Sequence, residues 1–201
     1  MAETVTTFIL DGIFGRPRRF GRLRDVIEKT VGPAIIHHYD STGRTPFESL
    51  ARQLADAIRA ANTPVNLLGY SMGGIVIRSA HLLDPTLPIR RAAFLNSPHV
   101  GSLIAYLLPF PACRQMRPNS DWMNRLAAVE WSIPTLAVWC PGDPIIVPNR
   151  SACWAKATET ICGRVPAHIW PIYSKSIHRR IAAFLSAETP SPVITAAPAA
   201  V

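Results

Sequence analysis

Two rhythms of apolar residues alternate along the chain: short β-branched runs, and longer stretches in which apolar positions return every three or four residues. The run Thr4–Leu10 leads through the loop Asp11-Gly12-Ile13-Phe14-Gly15 into a helical pattern that reaches about Thr30. A second run, Ala34–Tyr39, ends at Asp40-Ser41-Thr42-Gly43, after which Thr45-Pro46-Phe47-Glu48 has the form of a capping box with proline at the first helical position. In the helix this opens, Phe47, Leu50, Ala51, Leu54 and Ile58 fall on one stripe suited to lie on a sheet. Strand Val65–Leu68, a helix ending near Leu83, strand Ala92–Leu95 and a helix near Ser120–Val129 follow. Strand Pro134–Trp139, a weaker strand Thr160–Val165 and a last helix over Ser174–Ser186 complete the pattern, with Ile177, Ile181, Phe184 and Leu185 facing inward. Short apolar strands alternating with helices predict an α/β fold: a mostly parallel sheet covered on both faces, with ligands at the carboxyl ends of its strands.

Composition narrows this picture. Of the 201 residues, 48% are hydrophobic and 17% charged, which excludes a disordered chain over most of its length. The expectation is one domain over residues 1–188 and a disordered tail over 189–201, where three prolines interrupt a stretch without period. No apolar run approaches the ~20 residues of a membrane span, and the Met-Ala-Glu-Thr start lacks the features of a signal peptide, so a cytoplasmic location is the simplest expectation. The cysteines, Cys113, Cys140, Cys153 and Cys162, show no metal-ligand spacing and read as buried thiols; no metal or cofactor is implied.

The net charge of +8 comes from 18 arginines and three lysines. Five of the arginines fall within Arg16–Arg24. Without a nucleic-acid motif beside them, they read as a solvated helix face, with a grip on an anionic surface or substrate group as the sharper alternative and nucleic acid third.

The chemistry concentrates at Gly69-Tyr70-Ser71-Met72-Gly73-Gly74, between strand and helix. A serine flanked two residues away by glycines is the pattern of a nucleophile elbow, in which a tight turn lifts the hydroxyl over the sheet edge. The Met72 N–H, opening the helix, is then a donor for a developing oxyanion. Such a serine needs a histidine to take its proton and a carboxylate to orient that histidine. Asp143 follows strand Pro134–Trp139 in a turn over the carboxyl edge; Asp121 and Asp84 stand near helix boundaries with ordinary capping explanations. Among six histidines, His168 follows the last strand on that same edge. His178 reads as a partly exposed helix residue, His37 and His38 as strand residues, His81 as helical and His99 as shaping a loop.

The order Ser71, Asp143, His168 is the order the elbow motif requires. With Asp40-Ser41-Thr42-Gly43, Asp143-Pro144-Ile145-Ile146-Val147 and Ala167–Ser174, it makes the chain resemble the α/β-hydrolase superfamily over roughly Thr4 to Leu185, and more narrowly its small lidless bacterial lipases. The resemblance implies a minimal three-layer α/β-hydrolase fold and the triad roles for Ser71, Asp143 and His168 in hydrolysing carboxylic esters. It also implies a second oxyanion donor, by position the N–H of Ile13 beside that of Met72. One departure stands out: Asp11 occupies the place where the family has histidine. A carboxylate there opposes an oxyanion unless it is paired, which an arginine of Arg16–Arg24 could do while Asp11 fastens the loop.

The apolar run Leu103–Pro111 reads either as an acyl-binding wall or as ordinary core, which makes Leu103, Tyr106 and the loop residue Phe14 candidate substrate contacts. Together these features suggest a small-molecule ester with a hydrophobic acyl group. Acyl transfer or thioester hydrolysis would use the same residues, and an inactive binding protein on this fold is the non-enzymatic alternative.

Overall fold

The computed structural model describes residues 5–163 and 167–187. Six strands form one sheet: β1 (Thr7–Leu10), β2 (Ala34–Ile36), β3 (Val65–Tyr70), β4 (Ile89–Leu95), β5 (Thr135–Trp139) and β6 (Glu159–Cys162). Their order is β2-β1-β3-β4-β5-β6, and every neighbouring pair is parallel. The helices are α1 (Gly21–Thr30), α2 (Phe47–Ala60), α3 (Met72–Leu83), α4 (Pro111–Gln115), α5 (Asp121–Ala128), α6 (Trp170–Tyr173) and α7 (Lys175–Ser186). None is long and apolar enough to cross a membrane.

Because side chains alternate across a strand, each central strand feeds two cores. Phe8 and Leu10 of β1, Leu67 of β3 and Phe94 of β4 pack with α2, α3 and α5, whereas Ile9, Leu68, Tyr70, Ala93 and Leu95 pack with α1, α6 and α7. The near-continuous apolar strands seen in the sequence are the consequence of burial on both faces. Since all six strands run the same way, the loops after β1, β3, β4, β5 and β6 gather on one edge.

Several expectations change in detail. The capping box does not form: the Thr45 hydroxyl donates to Asp40 Oδ2 (2.6 Å), Pro46 takes the N-cap position, and the free N–H of Phe47 is met by Gln115 Oε1 (2.7 Å). β2 stops at Ile36, leaving His37 and His38 in the following loop. His178 is buried rather than partly exposed, its Nε2 bonded to the Ile172 carbonyl (2.7 Å). Cys113 and Cys140 are buried thiols, but Cys153 and Cys162 are exposed, and none of the four is paired. The tail and the end of the run Thr160–Val165 lie outside the described residues.

Behind α3 the interior holds an unusual charge. Arg78, 1% exposed, donates to the carbonyls of His99 (2.6 Å) and Leu126 (2.7 Å) and lies 4.9 Å from the Trp154 ring centroid. Burial lowers its pKa to about 10, so it stays charged at neutral pH, helped by the negative end of α5, where Leu126 sits. His99 stacks on Trp154 with neither ring nitrogen bonded to a described residue. Burial first, and Arg78 second, hold its pKa well below the ordinary histidine value.

That depression has a signed consequence. Between the lowered folded pKa and the unfolded value near ~6.5, the unfolded chain binds more protons. The stability contribution is therefore complete above that pH and is lost as pH falls below it. Burial lowers His37 and His178 as well, so His99→Phe is expected to reduce the loss between about pH 6.5 and 5, not abolish it. Urea unfolding across that range checks this; an unchanged slope in a folded His99→Phe variant contradicts it.

Candidate active site

Ser71 sits between β3 and α3 with φ 52° and ψ −121°, a conformation that costs a non-glycine residue ~1–3 kcal/mol. The Ser71 N–H donates to the Leu95 carbonyl (2.8 Å), and the Gly74 N–H to the Ser71 carbonyl (3.1 Å), which fixes the turn. The motif's glycines are required by close approach: a Cβ on Gly69 would lie 2.6 Å from Gly74 Cα, and one on Gly73 2.5 Å from the carbonyl oxygens of Leu10 and Asp11. Sheet, helix and the loop after β1 can converge on Ser71 only with these side chains absent.

The structure brings Ser71, Asp143 and His168 together. His168 Nε2 lies 3.0 Å from Ser71 Oγ, and His168 Nδ1 lies 2.6 Å from Asp143 Oδ2. The second carboxylate oxygen of Asp143 accepts from the N–H groups of Ile145 (2.8 Å) and Ile146 (3.2 Å), so the buried side chain is fully engaged. A carboxylate on one imidazole nitrogen leaves the other free to accept a hydroxyl proton.

Asn96 had no role in the sequence reading. Its Nδ2 donates to the His168 carbonyl (2.7 Å), tying the loop after β6 to the end of β4. The only sequence signal was an Asn-Ser-Pro turn at the end of a strand. Tyr70 also contacts His168, with ring centroids 4.9 Å apart, and burial keeps its phenol neutral by raising its pKa.

Asp11 turns from Ser71 into a cradle of donors. It accepts from the N–H groups of Gly12 (2.6 Å) and Arg16 (2.7 Å) and from Arg19, whose Nε lies 3.0 Å from Oδ2 and whose Nη2 meets Oδ1. Arg19 also lies over the Tyr70 ring at 4.9 Å, and the Tyr39 hydroxyl donates to the Asp11 carbonyl. The loop is braced from the other side by Ser41, which accepts from Phe14 N–H through its carbonyl (2.8 Å) and from Gly15 N–H through its hydroxyl (3.1 Å). One of the five clustered arginines is thus an internal counter-ion, while Arg16 and Arg18 remain exposed.

Removing one partner of a buried pair leaves an uncompensated charge, which typically costs ~3–5 kcal/mol. Arg19→Met is expected to lose stability on that scale in urea unfolding, and Asp11→Asn added to it to recover part of the loss. A loss below about 1 kcal/mol, the range of surface pairs, would show that the bracing is unimportant.

With Gly12 packed on Ser71, the loop after β1 brings Ile13 beside the serine, and Met72, first residue of α3, has an N–H with no partner inside the helix. A cleft of about 380 Å³, its open mouth included, adjoins Ser71 and is lined by Ile13, Ile104, Ala105, Leu108, Met116 and Ile146 among others. The run after β4 therefore does border the cleft, but through different residues from those expected. In the 3-10 turn Leu103–Leu107, Leu103 and Tyr106 point outward, while Ile104, the buried Ala105 and Leu108 just after the turn line the cleft. Phe14 is likewise exposed and outside the lining.

No model of a known protein family matches the sequence, and no curated protein matches it. Solved structures do match the fold. The mature form of a Bacillus licheniformis lipase superposes with a TM-score of 0.74 at 17% identity, over 92% of this chain and 93% of that one. An extracellular alpha/beta-hydrolase from a Paenibacillus species gives 0.62 at 14% identity, over 90% and 97%. The chain has the α/β-hydrolase fold. Aspergillus fumigatus lipase B, at 0.76 and 13% identity, matches 92% of this chain but 53% of its own, so this chain spans about half of that larger hydrolase-fold protein. In the shared fold, the sheet edge that carries Ser71 is the edge on which this chain also gathers Asp143 and His168.

Proposed function

We propose that the protein is a serine hydrolase that cleaves carboxylic esters through an acyl-enzyme on Ser71. The observation carrying this reading is the unbroken hydrogen-bonded path from Ser71 Oγ through His168 (3.0 Å) to the buried carboxylate of Asp143 (2.6 Å). His168 takes the hydroxyl proton as Ser71 attacks the acyl carbon, and Asp143 holds the imidazole in the required tautomer and stabilises its charged form. The N–H groups of Met72 and Ile13 receive the oxyanion. As the tetrahedral species collapses, His168 returns the proton to the departing alkoxide and the alcohol leaves. Water, deprotonated by His168, then attacks the acyl-enzyme; the carboxylic acid departs and Ser71 regains its proton. Apart from water, every step uses side chains and backbone groups of this chain.

The apolar lining of the cleft suits a hydrophobic acyl group. Lipases of known structure share the fold, which is consistent with ester chemistry. The deciding experiment treats the protein with a nitrophenyl phosphonate and maps the adduct by peptide mass spectrometry, alongside a panel of nitrophenyl esters and acyl thioesters of varied chain length. The adduct is expected on Ser71, with esters preferred to thioesters. An adduct on another residue, or no turnover by folded protein, sinks the proposal; preference for thioesters moves the reaction class but keeps the nucleophile.

A further inference from the structure

Nine large apolar side chains are exposed among the described residues, and all but Ile35, on the edge strand β2, and Tyr173, at the end of α6, stand on the loops that follow β1, β4, β5 and β6 on the Ser71 edge. Phe14 stands on the loop after β1, Val100, Leu103 and Leu107 after β4, Ile145 after β5 and Ile169 after β6; Leu107, the most exposed, is 74% accessible. These loops are laced together. Leu103 N–H donates to the Val147 carbonyl (2.8 Å), Ser102 Oγ to the Ile145 carbonyl (2.8 Å), and Phe14 N–H to Ser41. Ile169 directly follows His168. Apolar side chains scattered over a surface need no explanation, but a rim of them around one cleft marks a contact surface.

The charge around this rim identifies the contact. Arg16 and Arg18 are exposed beyond Phe14, Arg44 lies over Phe110 at 5.7 Å, Arg114 is exposed on α4, and Arg117 lies over Tyr106 at 4.7 Å. None of these five forms an ion pair with a described residue. The carboxylates nearby are mostly spent. Asp11 and Asp143 are buried and the exposed Glu48 pairs with Arg52, which leaves Asp40, still charged while it accepts from Thr42 and Thr45, and Asp121 against the five arginines. A rim of exposed apolar side chains, accompanied by guanidinium groups that form no ion pair with a described residue, is complementary to a surface with anionic headgroups over acyl chains.

We propose that this edge docks on anionic lipid bilayers, with the apolar rim entering the headgroup boundary and the arginines engaging lipid phosphates. Docking in that orientation sets the cleft mouth against the lipid. It is a property of the surface and does not depend on what Ser71 does.

The test uses the full-length Ser71→Ala chain and vesicles of ether-linked lipid, so that neither catalysis nor its failure affects the reading. Binding is measured by sedimentation with phosphatidylcholine alone and with phosphatidylcholine containing about one third phosphatidylglycerol. The mixed vesicles are expected to bind at least about tenfold more tightly, with most of that gain lost in high salt, because each basic residue at such a surface contributes about fivefold. Arg16→Glu with Arg18→Glu is expected to weaken binding at least about 25-fold, and separately Val100→Ser with Leu107→Ser about tenfold. Lys29→Glu, at the far end of α1, should leave it unchanged. Equal binding to both vesicles, or no binding to either, overturns the proposal. So does tight dimerisation that Val100→Ser with Leu107→Ser abolishes, which would mean a second copy covers the face, or equal affinity for duplex DNA that survives those serine substitutions. Should a variant fail to fold, the lipid and salt dependence of the parent chain decides.

Discussion

Replacing Ser71 with alanine is expected to lower kcat for any ester the protein turns over by roughly 10⁵–10⁶-fold, with KM changed only a few-fold. A loss of that size corresponds to about 7–8 kcal/mol of barrier. The split between kcat and KM follows from geometry. Ser71 is a single lining residue of a cleft whose wall is supplied chiefly by apolar side chains such as Ile13, Ile104, Ala105, Leu108, Met116 and Ile146, so ground-state binding is expected to survive truncation while the covalent route is lost. The backbone adds a second readout. Ser71 holds φ at 52°, and alanine inherits that strain whereas glycine relieves it. Ser71→Gly is therefore expected to be as inactive as Ser71→Ala but to unfold at a higher urea concentration. A Ser71→Ala variant within tenfold of the parent, or still labelled by a phosphonate, would show that the nucleophile lies elsewhere.

The sequence carried the elements whose cause is local. The motif Gly69–Gly74 was readable because backbone crowding at a strand-to-helix turn leaves room only for glycine at Gly69, Gly73 and Gly74. Asp143 and His168 were readable because both follow strands, and parallel strands bring their carboxyl ends to one edge. What failed was decided by partners remote in sequence. The capping box lost to Asp40, which takes the Thr45 hydroxyl, and to Gln115, which reaches Phe47 from 68 residues away. Asn96 was invisible for the same reason, its partner His168 being 72 residues distant. His178 flanks the apolar stripe of α7, and only the carbonyl of Ile172 offered by α6 makes burial acceptable there. With Leu103 and Tyr106, composition pointed to a segment that does border the cleft, but the local backbone of the run decides which of its side chains face it, and these two do not.

Asp143→Asn is expected to cut kcat about 10⁴-fold while leaving the fold intact, a separation that follows from which oxygen does what. Oδ1 accepts from the N–H groups of Ile145 and Ile146, and the amide oxygen of asparagine can keep both bonds. Oδ2 faces His168 Nδ1 at 2.6 Å, and there the substituted group is an NH₂ that donates where the carboxylate accepted. His168 answers by placing its proton on Nε2, the nitrogen 3.0 Å from Ser71 Oγ, and so can no longer receive the serine proton. The imidazolium formed during attack also loses its counter-charge. Steady-state kinetics beside thermal melts separate the two effects. Asp84→Asn and Asp121→Asn supply the contrast: Asp84 is occupied with Thr86 and Arg59 and Asp121 opens α5, so both should stay within about twofold of the parent. If Asp143→Asn is folded and within tenfold of the parent, or if Asp121→Asn is equally damaging, the assignment of the orienting carboxylate fails while that of Ser71 can stand.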